Sequence, residues 1–407
     1  MELTPRLKRN LLTFVLILIV GSIIFIQSKK PHVSNIPSGG DIVLEEELLA
    51  VGTSTDAISA TSSPKEVPIK PVIAPKGVLS SKKMTYPRAK ELALPSGFIN
   101  TDPFLIKDYI GKKVILVDFW TYSCINCQRT TPYLNSWYSK YKDKGLVIIG
   151  VHTPEFDFEK QKDNVDRAVQ KFGIRYPVVL DNEYGTWGNY GNRYWPHEYL
   201  IDIDGFITHD HIGEGDYDIT EKAIQNLLIE RANRLGEKNT IDMSLVTPAD
   251  VITLDASKRL SPETYFGAER NEYLGNGKPL QLGVQTFTPP ALPTENILYL
   301  KGSWSFAKQS TQSMAENSGI IYRYNAKHVY MVAGAEKSIR VKVTRDGKPL
   351  DETIAGKDIL FEKGESYFMV NEERLYDIVN DQAGYGTHTL EFTAEKGGLN
   401  VFTFTFG

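Results

Sequence analysis

The sequence predicts two folded regions: an α/β region with a central mixed sheet flanked by helices, and an all-β sandwich or jelly roll after it. In residues 87–235, apolar β-branched runs alternate with stretches of helical periodicity, which is typical of an α/β layer. In residues 236–407, short β-like runs are separated by turn residues, as in antiparallel sandwiches. An apolar N-terminal segment also predicts a single transmembrane helix.

Length and composition are consistent with this organisation. The chain has 407 residues, of which 41% are hydrophobic and 24% are charged, so it can bury the cores of two domains and still carry further segments. Its formal net charge is −4. Proteins that bind nucleic acid normally present a basic surface, and the composition therefore argues against a nucleic-acid partner.

Residues 1–27 have the features of a membrane anchor. Arg6, Lys8 and Arg9 precede an uncharged apolar run over residues 11–26, which is typical of a signal-peptide core or a short anchor. No small-x-small cleavage site follows, so a retained anchor is favoured over a cleaved signal. The positive-inside rule then places the folded regions outside the cytoplasm. We expect a single-pass protein of the cell membrane, in a compartment that permits disulfides.

Residues 28–86 are predicted to be a disordered tether. They are rich in Ser, Thr, Pro, Gly and Lys, a composition that cannot bury enough apolar surface to order itself. Such a segment would hold the folded regions, predicted at residues 87–235 and 236–407, away from the membrane.

Each element of the folded regions is indicated by its own pattern. Buried strands are predicted at residues 114–120, 145–151 and 176–180, and helices at residues 128–142 and 159–172. Residues 198–202 and 206–210 form a predicted hairpin around the turn dipeptide Asp204-Gly205, and residues 218–234 form a closing helix. In the β region, strands are predicted at residues 328–332, 339–343, 367–370, 388–393 and 400–406.

The chain contains two cysteines, Cys124 and Cys127, and they are spaced as a redox pair. They lie between a predicted strand and a predicted helix, so Cys124 is expected at the helix N-terminus. Unpaired backbone N–H groups and the helix dipole stabilise a thiolate at such a position. The thiolate attacks disulfides, and Cys127, one turn into the helix, can resolve the mixed disulfide that results.

Other roles for the two cysteines are less well supported by the sequence. A structural disulfide closing so short a loop removes little entropy from the unfolded chain. A zinc site needs about four ligands, and the histidines show no H-x3-5-H spacing. A thiol peroxidase remains an alternative because Thr121 stands three residues before Cys124, as in peroxiredoxins, although Val117 occupies the place of their motif's proline.

Two further sets of residues suggest a different class of protein, a glycan- or copper-binding accessory protein. His209 and His211 are two residues apart on a predicted strand, so they point the same way and could ligate copper alongside the cysteines. A solvated strand edge explains the pair equally well. Aromatic residues of the β region could stack on sugars, although core packing is the default explanation for them; they include Trp304, Tyr322 and Tyr324.

Several stretches of the chain resemble the thioredoxin superfamily and, within it, the membrane-tethered TlpA and DipZ branch. The matching stretches are residues 118–127 (DFWTYSCINC), 150–156 (GVHTPEF), 191–196 (GNRYWP), 213–217 (GEGDY) and 402–407 (FTFTFG). The resemblance covers roughly residues 87–407. It implies a thioredoxin-like redoxin domain followed by a sandwich similar to a carbohydrate-binding module, and it implies no bound cofactor.

The resemblance also implies roles for particular residues. Asp118 falls where thioredoxins place a buried carboxylate that takes the proton of the second cysteine, although Gly150 stands near the position of the lysine that accompanies it. Glu155 falls where TlpA-like reductases carry an active-site glutamate. Pro196 matches the cis-proline that faces the dithiol and exposes the preceding backbone to substrate. Trp120 and Trp195 would line the cleft.

The same resemblance suggests the partners. Proteins of this branch exchange disulfides with protein substrates, more often as reductants. DipZ proteins usually carry a multi-span electron-carrying domain, and a single predicted anchor replaces it here. We therefore expect a separate membrane electron donor of the DsbD/CcdA type, and the sandwich leaves open a glycan ligand.

Overall fold

A computed structural model describes residues 76–238, 240–249, 251, 257–258 and 260–407. It shows an α/β region followed by a large all-β region, in the order that the sequence predicts. The predicted anchor and nearly all of the predicted tether lie outside the described residues. Within the described part of the chain, no helix is both long and apolar enough to cross a membrane.

The α/β region contains six strands and, with the segment before it, five α-helices among the described residues. The strands are β1 (Gly97–Ile99), β2 (Val114–Trp120), β3 (Leu146–His152), β4 (Val178–Leu180), β5 (His197–Ile201) and β6 (Ile207–Ile212). The helices are α1 (Lys76–Thr85), α2 (Ile125–Tyr141), α3 (Lys162–Lys171), α4 (Gly185–Tyr190) and α5 (Tyr217–Leu235). The sequence predicted neither β1 nor α4, because both elements are short.

The six strands form one mixed sheet in the order β1-β4-β3-β2-β5-β6. Strands β2, β3 and β4 are parallel, and the remaining pairs are antiparallel. Every residue of β2 and β3 is buried, as expected for continuous apolar runs that helices cover on both faces. The carboxyl end of β2 leads directly to the dithiol, so a fully buried central strand positions the two cysteines.

Helix α1 occupies the end of the segment that composition predicts to be a tether. Its Lys82 ammonium forms ion pairs with Asp202 at 2.7 Å, Asp204 at 2.9 Å and Glu230 at 2.5 Å. Composition did not predict this helix, because its contacts are with residues more than a hundred positions away.

The all-β region has thirteen strands among the described residues. They are β7 (Thr264–Tyr265), β8 (Gly283–Phe287), β9 (Leu298–Phe306), β10 (Thr311–Ser313), β11 (Ser318–Ala326), β12 (His328–Gly334), β13 (Ile339–Arg345), β14 (Lys348–Pro349), β15 (Leu360–Glu362), β16 (Glu365–Val370), β17 (Arg374–Asn380), β18 (Gly386–Ala394) and β19 (Asn400–Phe406). All five strands predicted in this region are present, with ends shifted by no more than two residues.

These strands form one continuous hydrogen-bonded sheet. The sheet folds over so that its two halves pack on a single core. Strand β9 pairs with β11 through its first half and with β8 and β10 through its second half. Gly302 lies between the two halves with a φ of 81°, a conformation that glycine adopts without steric cost. Side chains from both halves meet in the core, where the rings of Tyr322 and Phe404 are 5.5 Å apart.

The all-β region packs directly against the α/β region. Phe402 of β19 lies 5.1 Å from the ring of Phe156 and 4.8 Å from that of Phe158, both in the loop after β3. Tyr330 of β12 and Phe402 belong to the same buried cluster as residues of α2. The helix that carries the dithiol is therefore supported from the C-terminal region as well as by its own sheet.

Candidate active site

Cys124 and Cys127 sit where the chain passes from β2 into α2. Cys124 is the N-cap residue of α2, with extended backbone dihedrals (φ −76°, ψ 119°), and Cys127 is in the first turn. Both are free thiols; Cys124 is half-buried, whereas Cys127 is only 2% exposed. A substrate approaching from solvent therefore meets Cys124 first.

The Cys124 thiol faces the loop that precedes β5. Its Sγ lies 4.0 Å from the carbonyl oxygen of Trp195, and the peptide bond between Trp195 and Pro196 is cis. The sequence expectation of a cis-proline beside the dithiol is met. The Trp195 carbonyl oxygen accepts a weak hydrogen bond from the Cys124 thiol.

Cys127 is held as a neutral thiol. Burial raises its pKa well above the ordinary value, and the neighbouring Cys124 and the charge of Asp118 raise the pKa further. Burial of this kind disfavours the thiolate. The two cysteines therefore differ in chemistry: the exposed one is available to attack, and the buried one needs a proton acceptor before it can act as a nucleophile.

Asp118 lies in β2 below the dithiol and is 2% exposed. Burial raises the pKa of its carboxyl to about 8. In the sheet it stands directly opposite Gly150 of β3 on one side and Glu198 of β5 on the other. A β-carbon on Gly150 would lie 2.9 Å from Nε1 of Trp120, so glycine leaves room for the indole beside the carboxylate.

Glu198 is a buried carboxylate that sequence reasoning missed. It is 1% exposed, and burial, followed by the charge of Asp118, raises its pKa well above the ordinary value. A signal was present in the sequence, because Glu198 is a charged residue at the start of the predicted β run over residues 198–202, two positions after Pro196. Recognising its proximity to Asp118 required the pairing of β2 with β5.

Glu159 is a second missed residue, and it organises the loops around the dithiol. One carboxylate oxygen accepts hydrogen bonds from the backbone N–H and hydroxyl of Ser123, at 3.1 and 2.6 Å. The other oxygen accepts the backbone N–H groups of Glu155 at 2.6 Å and Phe156 at 2.9 Å. Burial raises the pKa of Glu159. This side chain joins the residue before Cys124 to the loop after β3.

Arg129 of α2 holds the segment between the two cysteines in place through hydrogen bonds. Its guanidinium donates two hydrogen bonds to the Glu214 carboxylate, at 2.6 and 2.7 Å, and a third to the Asn126 side-chain oxygen at 2.8 Å. Because Asn126 lies between the two cysteines, this buried cation fixes the loop between them.

Glu155 lies in the loop after β3 and contacts the C-terminal region. Its carboxylate accepts hydrogen bonds from Tyr265 at 2.9 Å and Arg270 at 2.8 Å, both in the C-terminal region. The charge of Glu155 is thus balanced by a cation more than a hundred residues away. These contacts make Glu155 part of the junction between the two regions.

Trp120 and Trp195, both expected to line the cleft, lie in different environments in the structure. Trp195 is partly exposed, stacks on Trp187 with ring centres 4.3 Å apart, and donates from Nε1 to the Thr153 carbonyl. Trp120 is 2% exposed and packs edge-on against His152. Its position as the last residue of the central strand buries it, so the expectation that Trp120 forms a cleft wall is corrected.

The residues suggested as alternatives for copper or sugar binding lie away from the central strand or inside the core. Nε2 of His209 is 3.2 Å from the Thr220 hydroxyl, and β6 is separated from β2 by β5. The described residues bring together one triad of potential metal ligands, Asp202, Asp204 and Glu230, and Lys82 already pairs with all three. The aromatic residues proposed to stack on sugars are fully buried in the core: Trp304, Tyr322 and Tyr324.

A strand leading into a CxxC helix, a cis-proline facing the first cysteine and a buried carboxylate below the second define a thioredoxin-like redoxin. In agreement, residues 88–210 match the AhpC/TSA family model and residues 261–407 match the model described as "Thioredoxin like C-terminal domain". The chain belongs to the thioredoxin-like redoxins and carries both of these domains.

Two relatives are similar to this chain over part of its length. DipZ of Mycobacterium tuberculosis (strain CDC 1551 / Oshkosh) is 40% identical over 324 residues, which is 78% of this chain and 43% of DipZ. The thiol-disulfide oxidoreductase ResA of Bacillus anthracis is 35% identical over 120 residues, 27% of this chain and 66% of ResA. This chain therefore spans less than half the length of DipZ.

Among solved structures, a putative thiol:disulfide interchange protein DsbE from Chlorobium tepidum aligns with 24% identity. The alignment covers 35% of this chain and 96% of that protein, with a TM-score of 0.31.

Proposed function

We propose that this protein is a thiol-disulfide oxidoreductase that exchanges disulfides with protein substrates through Cys124 and Cys127. One observation carries the proposal: the accessible Cys124 thiol caps α2 beside the Trp195 carbonyl, while the Cys127 thiol is buried behind it. The helix N-terminus favours the attacking thiolate, and the buried thiol is positioned to resolve the intermediate. The likeness to ResA supports the same activity.

The reaction proceeds in two displacements. The Cys124 thiolate attacks one sulfur of a substrate disulfide, forming a Cys124–substrate disulfide and releasing the other substrate sulfur as a thiolate. Cys127 then loses its proton, and its sulfur attacks Sγ of Cys124, which releases the second substrate thiolate. Two electrons pass to the substrate, and the Cys124–Cys127 disulfide that remains must be reduced by a second protein.

We propose further that the protein acts as a reductant outside the cytoplasm, anchored by residues 1–27 and held by residues 28–86. The site residues are Cys124, Cys127 and Asp118, with Trp195 and Pro196 contacting substrate. A membrane electron donor of the DsbD/CcdA type would regenerate the dithiol. The basic residues before an uncharged apolar run support the anchor.

Trapping of substrates by the full-length chain tests the function. Cys127→Ser should accumulate mixed disulfides at Cys124 in cells, because the resolving sulfur is absent. Cys124→Ser is the matched control and should accumulate none. If diagonal gels of the Cys127→Ser strain show no mixed disulfide, protein exchange is not the activity.

Thiol peroxidase is the second candidate, and the AhpC/TSA family match over residues 88–210 is the observation that favours it. It predicts rapid oxidation of Cys124 by hydrogen peroxide and turnover with a thiol donor. Stopped-flow measurement of tryptophan fluorescence separates the two functions, since a disulfide exchanger should react with peroxide only at the rate of an ordinary thiol.

A further inference from the structure

Three titratable side chains stand side by side across β2, β5 and β6. Asp118 is directly opposite Glu198, and Glu198 is directly opposite His211. Residues directly opposed in an antiparallel pair project from the same face with Cβ atoms about 4.5–5.5 Å apart. The row therefore runs from beneath Cys127 to β6, which is the edge strand of the sheet.

Asp118 and Glu198 are buried, His211 is partly exposed, and each carries a buried polar atom that has no hydrogen-bond partner among the described residues. Among the described residues, no partner is found for the buried Oδ1 of Asp118, either carboxylate oxygen of Glu198 or Nε2 of His211. The hydroxyl of Tyr176 also has no hydrogen-bond partner among the described residues. Burial raises its pKa, and the charges of Asp118, Glu198 and Cys127 raise it further. Leaving a buried polar group without a hydrogen-bond partner is energetically unfavourable. Several such groups in one row call for a functional explanation.

Proton transfer supplies that explanation. Cys127 must give up a proton before it resolves the mixed disulfide, and Asp118, the carboxyl whose charge acts on Cys127, has a pKa raised by burial to about 8. At neutral pH Asp118 is therefore largely protonated and cannot accept a second proton. It can act only if its own proton moves on to a neighbour, and Glu198 is the titratable residue directly opposite it in the sheet.

His211 completes the row at the surface. It is partly exposed, so one side of the ring reaches solvent while Nε2 faces the interior. Other titratable groups lie around the row, and burial is the main cause of their pKa shifts. The charge of Glu198 contributes to the raised pKa of Tyr217 in α5. The charge of His211 contributes to the lowered pKa values of His197 and His209. Asp210, adjacent in β6, lies 3.3 Å from Nε2 of His197.

We propose that Asp118, Glu198 and His211 form a proton relay that connects Cys127 to solvent at the edge of the sheet. This inference rests on the proposed function and concerns its resolving step. As the Cys127 sulfur bonds to Sγ of Cys124, the Cys127 proton passes to Asp118. The Asp118 proton passes to Glu198 and that of Glu198 to Nε2 of His211, directly or through a shared water, and His211 releases its other ring proton to solvent. The leaving substrate thiolate takes a proton from solvent, so protons balance.

Separate measurement of the two displacements tests the relay in the full-length protein. Wild type, Glu198→Gln and His211→Asn are compared, with His209→Asn as the matched control two residues away on β6. The first step is followed by the alkylation rate of Cys124 with iodoacetamide. The second is followed by release of thiol from a preformed mixed disulfide between Cys124 and a thionitrobenzoate leaving group, between pH 6 and 9.

In both relay variants, thiol release should slow by on the order of tenfold or more, which is typical of losing a proton-transfer group. Its pH profile should shift, whereas the alkylation rate of Cys124 should match wild type. His209→Asn should behave as wild type in both steps. An unchanged rate and pH profile of release in both variants would overturn the relay.

Equal slowing of both steps would also overturn it, because that pattern indicates a purely structural effect. If Glu198→Gln fails to fold, the partly exposed His211→Asn still decides the question. The proposed function fails separately: in that case wild type itself would release no thiol from the mixed disulfide.

Discussion

The carboxylate of Glu155 and the guanidinium of Arg270 lie 2.8 Å apart and join the loop after β3 to the C-terminal region. The same Arg270 stacks over the ring of Tyr265 at 3.6 Å. That loop also carries the backbone N–H groups bound by Glu159, whose other oxygen holds Ser123 beside Cys124. The C-terminal region is thereby connected to the dithiol through two carboxylates.

Arg270→Ala should lower the free energy of unfolding by about 1–2 kcal/mol, the sum expected for a partly exposed ion pair and a cation–π contact. Urea denaturation measures the change. Lys308→Ala, which breaks the exposed pair with Glu269, is the control and should change stability by less than about 0.5 kcal/mol. Glu155→Gln should likewise reduce stability while leaving Cys124 alkylation unchanged. Slower alkylation without loss of stability would instead support the active-site role implied by the resemblance.

Asp118→Asn should change the dependence of stability on pH. The folded-state pKa of Asp118 is about 8, against 3.8 for the ordinary group, so the folded protein holds this proton more tightly than the unfolded chain. The contribution of Asp118 to the free energy of unfolding is therefore fully present below pH 3.8. It is lost as the pH rises to about 8, at about 1.4 kcal/mol per pH unit. Asp118→Asn should reduce that slope. Parallel wild-type and Asp118→Asn profiles of unfolding free energy would contradict the assignment.

His152 should govern stability on the acid side. It is fully buried beside Trp120 and Tyr122, and burial lowers its pKa from 6.5 to about 3. The unfolded chain binds a proton that the folded protein excludes, so stability is complete above pH 6.5 and falls as pH drops towards 3. His152→Phe should stay folded at lower pH than wild type, as followed by near-ultraviolet circular dichroism. An unchanged acid midpoint would show that other groups control acid unfolding.

Glu159→Gln should be more damaging than the loss of one hydrogen bond. Each carboxylate oxygen accepts two donors, so an amide NH2 group in either place would face two N–H or O–H groups. We expect a loss of about 2–4 kcal/mol, against about 1 kcal/mol for Ser123→Ala, which removes a single acceptor–donor pair. Chemical denaturation of the two variants compares these values. Equal losses would mean that Glu159 is held less tightly than the structure shows.

The sequence determined the local features of this protein. The order of the longer strands and helices in the α/β region, five strands of the all-β region and the position of Cys124 at the start of α2 follow from patterns a few residues long. Such features depend on backbone propensity, capping and hydrophobic periodicity, all of which act between near neighbours. For the same reason the predicted strand and helix ends are close to those observed.

Only the tertiary structure decided which side chains meet. Asp118 and Glu198 stand opposite each other because of the register between β2 and β5. The hydrogen bonds that Ser123 donates to Glu159 depend on the chain after β3 folding back towards the dithiol. Glu155 pairs with Arg270 of the C-terminal region, and Trp120, expected in the cleft, is buried in the core. Burial and long-range pairing set the chemistry of these groups, because a carboxylate's pKa depends on the residues around it in space rather than on its neighbours in the chain.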